Sequence, residues 1–212
     1  MDVYIICPNE NYYFKLGITE IIREALLCDA TLHFLTGVGS ETLQKADIII
    51  VNISQWRLFM CQPAYRYRKA GSMLLVFADG DDSFKTDTLP ICYRAMTVVA
   101  RGESITLVKK KIAQAWMRAQ NEELPPYLPT DCLRCSYTRL SLVQLQVLSF
   151  LKRGRSVRQI AHCLGLSIKT VYAHKYNVMH KFDLKGDQQF HSFLNDLSLI
   201  ELYKGVVTDQ DR

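Results

Sequence analysis

Residues 156–182 read SVRQIAHCLGLSIKTVYAHKYNVMHKF, a stretch that predicts two helices joined by a very short turn. Ser156 and Gln159 form a capping box, which is a pairing that starts a helix, and a second serine stands where the next helix begins. Gly165, with one leucine after it, supplies the break between the two helices. This spacing predicts a helix-turn-helix over Val157–Tyr176.

The second of these helices divides into a packing side and an opposite polar side. The packing side holds Val171, His174, Val178 and Phe182. The opposite side, which we name the polar stripe, holds Lys169, Tyr172, Ala173, Tyr176 and His180. Lys175 flanks this stripe and Lys181 extends it toward phosphates. A stripe of this width is suited to the major groove of DNA.

Basic side chains concentrate in the same part of the chain. The formal net charge is +5, but residues 1–124 hold 14 basic and 14 acidic side chains, whereas residues 125–212 hold 12 and 7. Residues 134–185 hold ten basic side chains against one acidic. A block of this kind attracts polyanions such as nucleic acid.

The first half of the chain has a different pattern, in which short apolar runs alternate with helix-like stretches. This alternation predicts an α/β domain with a parallel sheet. The predicted strands are Val3–Cys7, Thr31–Thr36, Ile48–Ile53, Met73–Ala78 and Met96–Ala100, and the predicted helices are Lys15–Leu27 and Ile105–Ala119. Three prolines within residues 125–129 then predict an extended linker. The resulting division is 1–120, 121–137 and 138–212.

Beyond the linker the pattern is helical only, which predicts a small four-helix domain. Its helices are predicted at Ser141–Lys152, Ser156–Leu164, Ser167–Phe182 and Asp187–Tyr203. The first of them begins with a second capping box, formed by Ser141 and Gln144. The last helix carries an apolar stripe made of Phe190, Phe193, Leu194, Leu197 and Ile200. That stripe either completes the core of the domain or forms a dimer surface.

The C-terminal segment resembles the LuxR-type helix-turn-helix. The positions that carry the resemblance are Leu140-Ser141, Gln146-Val147-Leu148, Gly154, Ile160-Ala161, Leu164, Leu166-Ser167, Lys169-Thr170-Val171, His174, Asn177 and Lys181-Phe182. The resemblance implies a sequence-specific DNA-binding transcription regulator, with double-stranded DNA as its partner and a final helix that pairs subunits. The DNA-binding set it implies is Lys169, Thr170, Val171, Tyr172, Ala173, His174, Lys175, Tyr176 and Lys181.

Within that set the resemblance assigns phosphate contacts to Lys169 and Thr170, where the helix N-terminus also favours anions. The base-reading positions are Tyr172, Ala173 and Tyr176, where the family more often has Lys or Arg. A tyrosine hydroxyl and an alanine methyl favour single acceptors and thymine methyl groups over bidentate contacts to guanine. We therefore expect half-sites that contain A·T pairs.

Placed before such a module, the α/β half is similar in pattern to the flavodoxin-like receiver domain of NarL/FixJ-type response regulators. Its phosphotransfer positions differ from that pattern. The phosphoacceptor position is Asn52, the acidic pair falls at Pro8-Asn9 with Glu10 nearby, the hydroxyl position is Ala78, and the lysine position is Ala100 or Arg101. An amide cannot serve as the phosphoacceptor.

The degenerate receiver predicts a regulator that does not depend on its own phosphorylation. RcsA-type auxiliary regulators are similar in length, in layout and in lacking the phosphorylation site. The resemblance implies that this chain acts as a homodimer or as a heterodimer with another LuxR-type regulator.

The remaining expectations concern location and chemistry. The N-terminus has no signal-peptide pattern, and no apolar run is long enough to cross a bilayer, so we expect a cytoplasmic protein without a membrane partner. The sequence has no glycine-rich phosphate loop and no metal-spaced carboxylates. We therefore expect no catalytic residue, no metal and no cofactor, and we do not expect an enzyme.

Two alternatives stay open for the control of the protein. Cys132 and Cys135 form a CxxC pair near the domain junction, which favours a thiol switch if the pair is reactive. Trp56, Tyr65 and Tyr67 favour a ligand-sensing N-terminal domain if they line a pocket rather than a core.

Overall fold

A computed structural model describes residues 1–8, 11–26, 29–78, 89–121, 135 and 138–197. The chain divides into two compact units, Met1–Ser136 and Tyr137–Arg212. Most of the predicted linker lies outside the described residues, so the proposed division at 121–137 stays a prediction.

The N-terminal unit is built on a five-stranded sheet in the order β2-β1-β3-β4-β5, with every neighbouring pair parallel. The strands are β1 Asp2–Ile6, β2 Thr31–Leu35, β3 Ile48–Ile53, β4 Met73–Ala78 and β5 Met96–Ala100. The last three have the predicted bounds, and the first two differ from them by one residue. The strand order is that of flavodoxin-like sheets, which confirms the predicted fold class.

Helices cover both faces of this sheet. They are α1 Tyr12–Leu26, α2 Ser40–Lys45 and α3 Ile105–Gln120, with short 3-10 helices at Gln55–Phe59, Pro63–Tyr67 and Ile91–Tyr93. Alternate β3 residues serve opposite faces: Ile48 and Ile50 pack with α1 and α3, whereas Ile49 and Val51 pack with α2 and the 3-10 helices. Both faces are thus buried, as the continuous apolar strands indicate.

Two features of this unit differ from the sequence expectations. Helix α1 begins at Tyr12, earlier than the predicted Lys15, because the Asn11 side chain accepts a hydrogen bond from the Phe14 amide at 3.1 Å and starts the first turn. Helix α2 and the three 3-10 helices were not predicted. These segments are too short to show a helical period.

The C-terminal unit contains four helices within its described residues, as predicted. They are α4 Leu142–Lys152, α5 Val157–Leu164, α6 Ile168–Lys181 and α7 Asp187–Asp196. The prediction that the last helix reaches Tyr203 is wrong at its described end, because Leu197 already has extended backbone with φ −72° and ψ 112°. Residues 198–212 lie outside the described part of the chain.

Both predicted capping boxes are present in this unit. The Ser141 amide binds the Gln144 side chain at 3.0 Å, and the Ser156 amide binds the Gln159 side chain at 2.9 Å. Each serine hydroxyl in turn accepts from the amide three residues later, at 3.3 Å in both cases. These reciprocal bonds fix the first residues of α4 and α5.

The apolar stripe of α7 completes the core of the unit. Phe190, Phe193, Leu194 and Leu197 are all buried, and the Phe193 ring packs against Phe182 with ring centroids 5.0 Å apart. Core packing is therefore the role of these four residues, not an exposed dimer surface. Ile200, the fifth residue of the predicted stripe, lies outside the described residues.

Candidate nucleic-acid interface

A left-handed glycine sets the turn between α5 and α6. Gly165 has φ 64° and ψ 29°, and its amide is directed at the last carbonyls of α5. The Leu166 amide bonds the Ala161 carbonyl at 2.9 Å, which closes the end of the helix in a Schellman-type arrangement. The turn therefore holds α6 at a defined angle to α5.

The start of α6 is capped by its own side chains. The Ser167 hydroxyl accepts from the Thr170 amide at 3.0 Å, and the hydroxyls of Ser167 and Thr170 lie 2.8 Å apart. Lys169 is exposed beside this cap. The positive end of the helix and one cation thus face solvent together.

Most of the predicted packing side of α6 is buried. Val171, Val178 and Phe182 are almost completely buried, whereas His174 is only half-buried. The structure adds Met179, a buried residue that the helical pattern missed because it lies at the margin of the packing side. The core of the helix-turn-helix therefore begins at Val171, which packs with Ile160 and Ala161 of α5.

All five members of the polar stripe are exposed. Tyr172 and Tyr176 have 42% and 57% of their surface exposed, which is high for rings of this size in a small domain. Their rings are stacked, with centroids 6.2 Å apart and an interplanar angle of 20°. The stack presents two hydroxyls side by side on the exposed face of α6.

Lys175, predicted to flank the stripe, lies beside Tyr176, with its ammonium 5.8 Å from the centre of that ring, and it also contacts α7. Its ammonium is 2.6 Å from the Asp187 carboxylate and 5.0 Å from the centre of the Phe190 ring. Because Lys175 donates a hydrogen bond to it, Asp187 has a pKa below its ordinary value. The Lys175 side chain is only 15% exposed, so its charge mainly anchors the two helices to each other.

Lys181 and Lys152 also bind within the unit. The Lys181 ammonium donates to the Arg139 carbonyl at 2.6 Å and to the Gln144 side chain at 2.9 Å. Lys152 donates to the carbonyls of Leu194, Asn195 and Leu197 at 3.0, 3.1 and 2.6 Å, and so caps the end of α7.

Other cations of the basic block are exposed and make no contact of this kind. Within residues 138–197, the side chains of Arg153, Arg155, Arg158 and Lys169 have no hydrogen-bond or ion-pair partner, and all four are exposed. Three of the ten basic side chains are thus held within the unit: Lys175 by an ion pair, and Lys152 and Lys181 by hydrogen bonds to neutral groups that leave their charge in place. Sequence patterning could not separate these two groups of cations, because the carbonyls and carboxylates that engage Lys152, Lys175 and Lys181 are brought near by tertiary packing.

In the N-terminal unit, Asn52, which the sequence predicts at the phosphoacceptor position, takes part in a hydrogen bond. Asn52 lies near the carboxyl end of β3, and its side-chain oxygen accepts from the Arg101 guanidinium at 2.8 Å. Of the two predicted alternatives for the lysine position, Ala100 and Arg101, it is Arg101 that contacts Asn52 in the structure. Asp47 lies before the first residue of β3, at the opposite end of the strand from Asn52. Its carboxylate accepts a hydrogen bond from the Tyr4 amide at 2.8 Å and pairs with Lys69.

Comparison with known proteins places the C-terminal unit in a family. Residues 138–194 match the family model described as bacterial regulatory proteins, luxR family. The Escherichia coli K12 transcriptional activator protein BglJ is 46% identical over 48 residues, which are 23% of this chain and 21% of that protein. The chain thus matches about a fifth of the length of this curated relative.

Solved structures resemble the whole chain in fold. A structure of two RcsB dimers bound to two parallel DNAs has 18% identity, a TM-score of 0.52, and coverage of 93% of this chain and 99% of that chain. A structure of the two-component response regulator RcsB in complex with DNA has the same identity and coverage with a TM-score of 0.50.

Among the described residues, no helix is long and apolar enough to cross a membrane. Residues 138–194 of the chain form a helix-turn-helix domain that matches the bacterial regulatory proteins of the luxR family.

Proposed function

We propose that this chain is a sequence-specific DNA-binding transcription regulator that inserts α6 into the major groove of double-stranded DNA. The observation that carries the proposal is that all five members of the polar stripe are exposed on a helix whose other side is largely buried. The capped turns on either side of α5 fix the position of α6, as is required of a helix that contacts base edges.

The residues of α6 take three roles in this proposal. Lys169 and the helix start at Thr170 contact phosphates, and Tyr172, Ala173 and Tyr176 contact base edges. Val171 and His174 support the helix from its packing side. Lys175 and Lys181 act indirectly, because their ammonium groups hold α6 against α7 and α4.

The chemistry of the stripe favours sites that contain A·T pairs. Each tyrosine hydroxyl makes single hydrogen bonds, and the Ala173 methyl is suited to contact with a thymine methyl. No arginine stands on the stripe to make the bidentate contact that reads guanine.

Selection from a random duplex pool with the full chain tests this function. We expect enrichment of sites with A·T pairs in each half-site, and a changed consensus when Tyr176→Ala is selected in parallel. Absence of any enrichment would overturn the DNA-binding role, whereas strictly G-rich sites would overturn only the base preference.

We further propose that control does not pass through phosphorylation of this chain. The support is Asn52 at the phosphoacceptor position, with its side-chain oxygen engaged by Arg101. DNA affinity should be the same before and after incubation with a small phosphodonor. A phosphorylated adduct on the N-terminal unit that changes the affinity would contradict this.

We propose that the protein acts in the cytoplasm as a homodimer or as a heterodimer with another LuxR-type regulator. The support is the similar structure in which RcsB binds DNA as dimers, together with the two half-sites that helix-turn-helix proteins usually occupy. Sedimentation of the full chain with a selected duplex, alone and with regulators captured from a native extract, should give two subunits per site. A stable one-to-one complex on a single half-site would contradict the dimer.

A further inference from the structure

Two short 3-10 helices of the N-terminal unit bring a pair of thiols together. Cys61 precedes the helix Pro63–Tyr67, and Cys92 lies within the helix Ile91–Tyr93. The Gln62 amide donates to the Cys92 sulfur at 3.3 Å, which places that sulfur against the backbone of the residue directly after Cys61. Both are reduced, with Cys92 buried and Cys61 only partly buried.

The surroundings of the pair make the two thiols unequal. The Cys92 thiol donates to Cys61, and this bond lowers the pKa of Cys61 to about 7; the Arg66 charge lowers it further while burial opposes the shift. The hydrogen bond to Cys61 and burial raise the pKa of Cys92 well above its ordinary value. Cys61 is thus the more nucleophilic and accessible sulfur, and Cys92 is a protonated partner within reach of it.

The packing around the pair is rigid. The rings of Tyr65 and Tyr93 meet edge to face, with centroids 5.7 Å apart, and so hold the two 3-10 helices against each other. The Tyr93 hydroxyl also donates to the Arg57 carbonyl at 3.3 Å. The two sulfurs are therefore held together by backbone and aromatic contacts on both sides.

We propose that Cys61 and Cys92 are a thiol–disulfide couple, oxidised by a hydroperoxide and reduced by a small-molecule or protein dithiol. This couple is independent of the DNA-binding proposal, and it differs from the CxxC pair that the sequence suggested.

The oxidation proceeds in two balanced steps. The Cys61 thiolate attacks the distal oxygen of the hydroperoxide, the O–O bond breaks, an S–O bond forms, and the alkoxide or hydroxide leaves with a proton from solvent. The Cys92 sulfur then attacks the Cys61 sulfenic acid, an S–S bond forms, and the thiol proton and the hydroxide leave together as water. A dithiol then reduces the Cys61–Cys92 disulfide by thiol–disulfide exchange and is itself oxidised to a disulfide.

A third thiol, that of Cys135, lies close enough to form a different disulfide. The Ile91 amide donates to the Cys135 sulfur at 3.2 Å, which places Cys135 against the first residue of the 3-10 helix that contains Cys92. Cys132, the other half of the CxxC pair, lies outside the described residues. A Cys92–Cys135 or Cys132–Cys135 bridge would therefore be a different switch from the one proposed.

Peptide mapping of the full chain after titration with hydrogen peroxide tests the couple. We expect a Cys61–Cys92 crosslinked peptide as the first oxidation product, lost again on treatment with dithiothreitol. In Cys92→Ala, the same treatment should leave a Cys61 sulfenic acid that a dimedone probe traps. Cys163→Ser, which removes an exposed lone thiol, should oxidise as the wild-type protein does.

Substitution of the half-buried Cys61 provides a second test that does not depend on the folding of Cys92→Ala. Cys61→Ser should abolish the crosslink and slow peroxide consumption by at least several-fold, while Cys135→Ser should change neither. First oxidation at Cys163, a bridge that involves Cys135, or the absence of any disulfide in the wild-type protein would overturn the proposal.

Discussion

At the scale of single residues, the basic side chains of the C-terminal unit differ in whether they bind other groups of that unit, and the sequence pattern does not show this difference. The sequence correctly predicted that Lys169, Tyr172 and Tyr176 share an exposed face, because a helical period decides which side a residue occupies. It could not predict that Lys152 and Lys175 bind within their own unit. Their partners come from α7, and tertiary packing alone brings them close.

Replacing Lys152 tests its capping role. In Lys152→Met the three carbonyls at the end of α7 lose their charged donor. We therefore expect a loss of about 1.5 kcal/mol in the free energy of unfolding, the low end for a hydrogen bond to a charged group, because the site is partly exposed. Chemical denaturation of the purified protein measures it. Arg153→Met, its exposed neighbour, should change stability by less than about 0.5 kcal/mol; equal effects in the two variants would contradict the role.

The Lys175–Asp187 pair predicts a pH dependence. The folded-state pKa of Asp187 is lowered, so the pair stabilises the fold above the ordinary carboxyl pKa, and this contribution is lost as the pH falls through the folded value. We expect Asp187→Asn to be less stable than wild type near neutral pH and equal to it in strong acid. Unfolding curves over that range would refute the pair if the difference grew on acidification.

At the scale of elements, the caps are what the sequence predicts best. Ser141 and Ser156 begin their helices as their capping boxes indicate, because the partners lie three residues away and need no tertiary contact. The short 3-10 helices between β3 and β5 were missed for the opposite reason. Their positions are set by buried rings such as Tyr65 and Tyr93, which meet only in the folded unit.

The turn glycine gives an element-scale prediction. A Cβ at Gly165 meets nothing within 4 Å, so any cost of Gly165→Ala comes from its left-handed backbone alone. We expect a loss of about 1–2 kcal/mol in the free energy of unfolding, and a smaller loss for Gly165→Asn. Thermal unfolding measures both.

Gly17 provides the matched control for that substitution. It lies inside α1 with equally open space around the added methyl, but without a positive φ. Gly17→Ala should therefore stabilise the protein by about 0.5–1 kcal/mol. Destabilisation by both alanines would show that crowding, and not backbone conformation, governs these sites.

At the scale of the whole molecule, the sheet explains why Asn52 and Arg101, which are far apart in the sequence, lie together in the fold. Parallel strands end at one edge, so positions after β3 and β5 had to approach each other whatever side chains they carried. The structure adds the contact between Asn52 and Arg101.

Restoring the carboxylate should not restore phosphotransfer. In Asn52→Asp the new side chain would pair with Arg101, while Pro8 and Ala78 still lack the groups that hold a metal and orient a phosphoryl group. We expect no phosphorylated species by intact-mass measurement after incubation with acetyl phosphate and magnesium. Stoichiometric phosphorylation of the variant would show that the remaining site is competent.

The most direct test of the DNA-binding account is the salt dependence of affinity, measured for a selected duplex and a scrambled duplex. Lys169→Ala should weaken both complexes alike and reduce the log–log salt slope by about 1, whereas Tyr172→Ala should lower the preference for the selected duplex by about tenfold and leave the slope unchanged. Lys110→Ala, an exposed lysine on α3, provides the charge-matched control and should change neither. The account is contradicted if Lys110→Ala matches Lys169→Ala, or if Tyr172→Ala retains the full preference for the selected duplex.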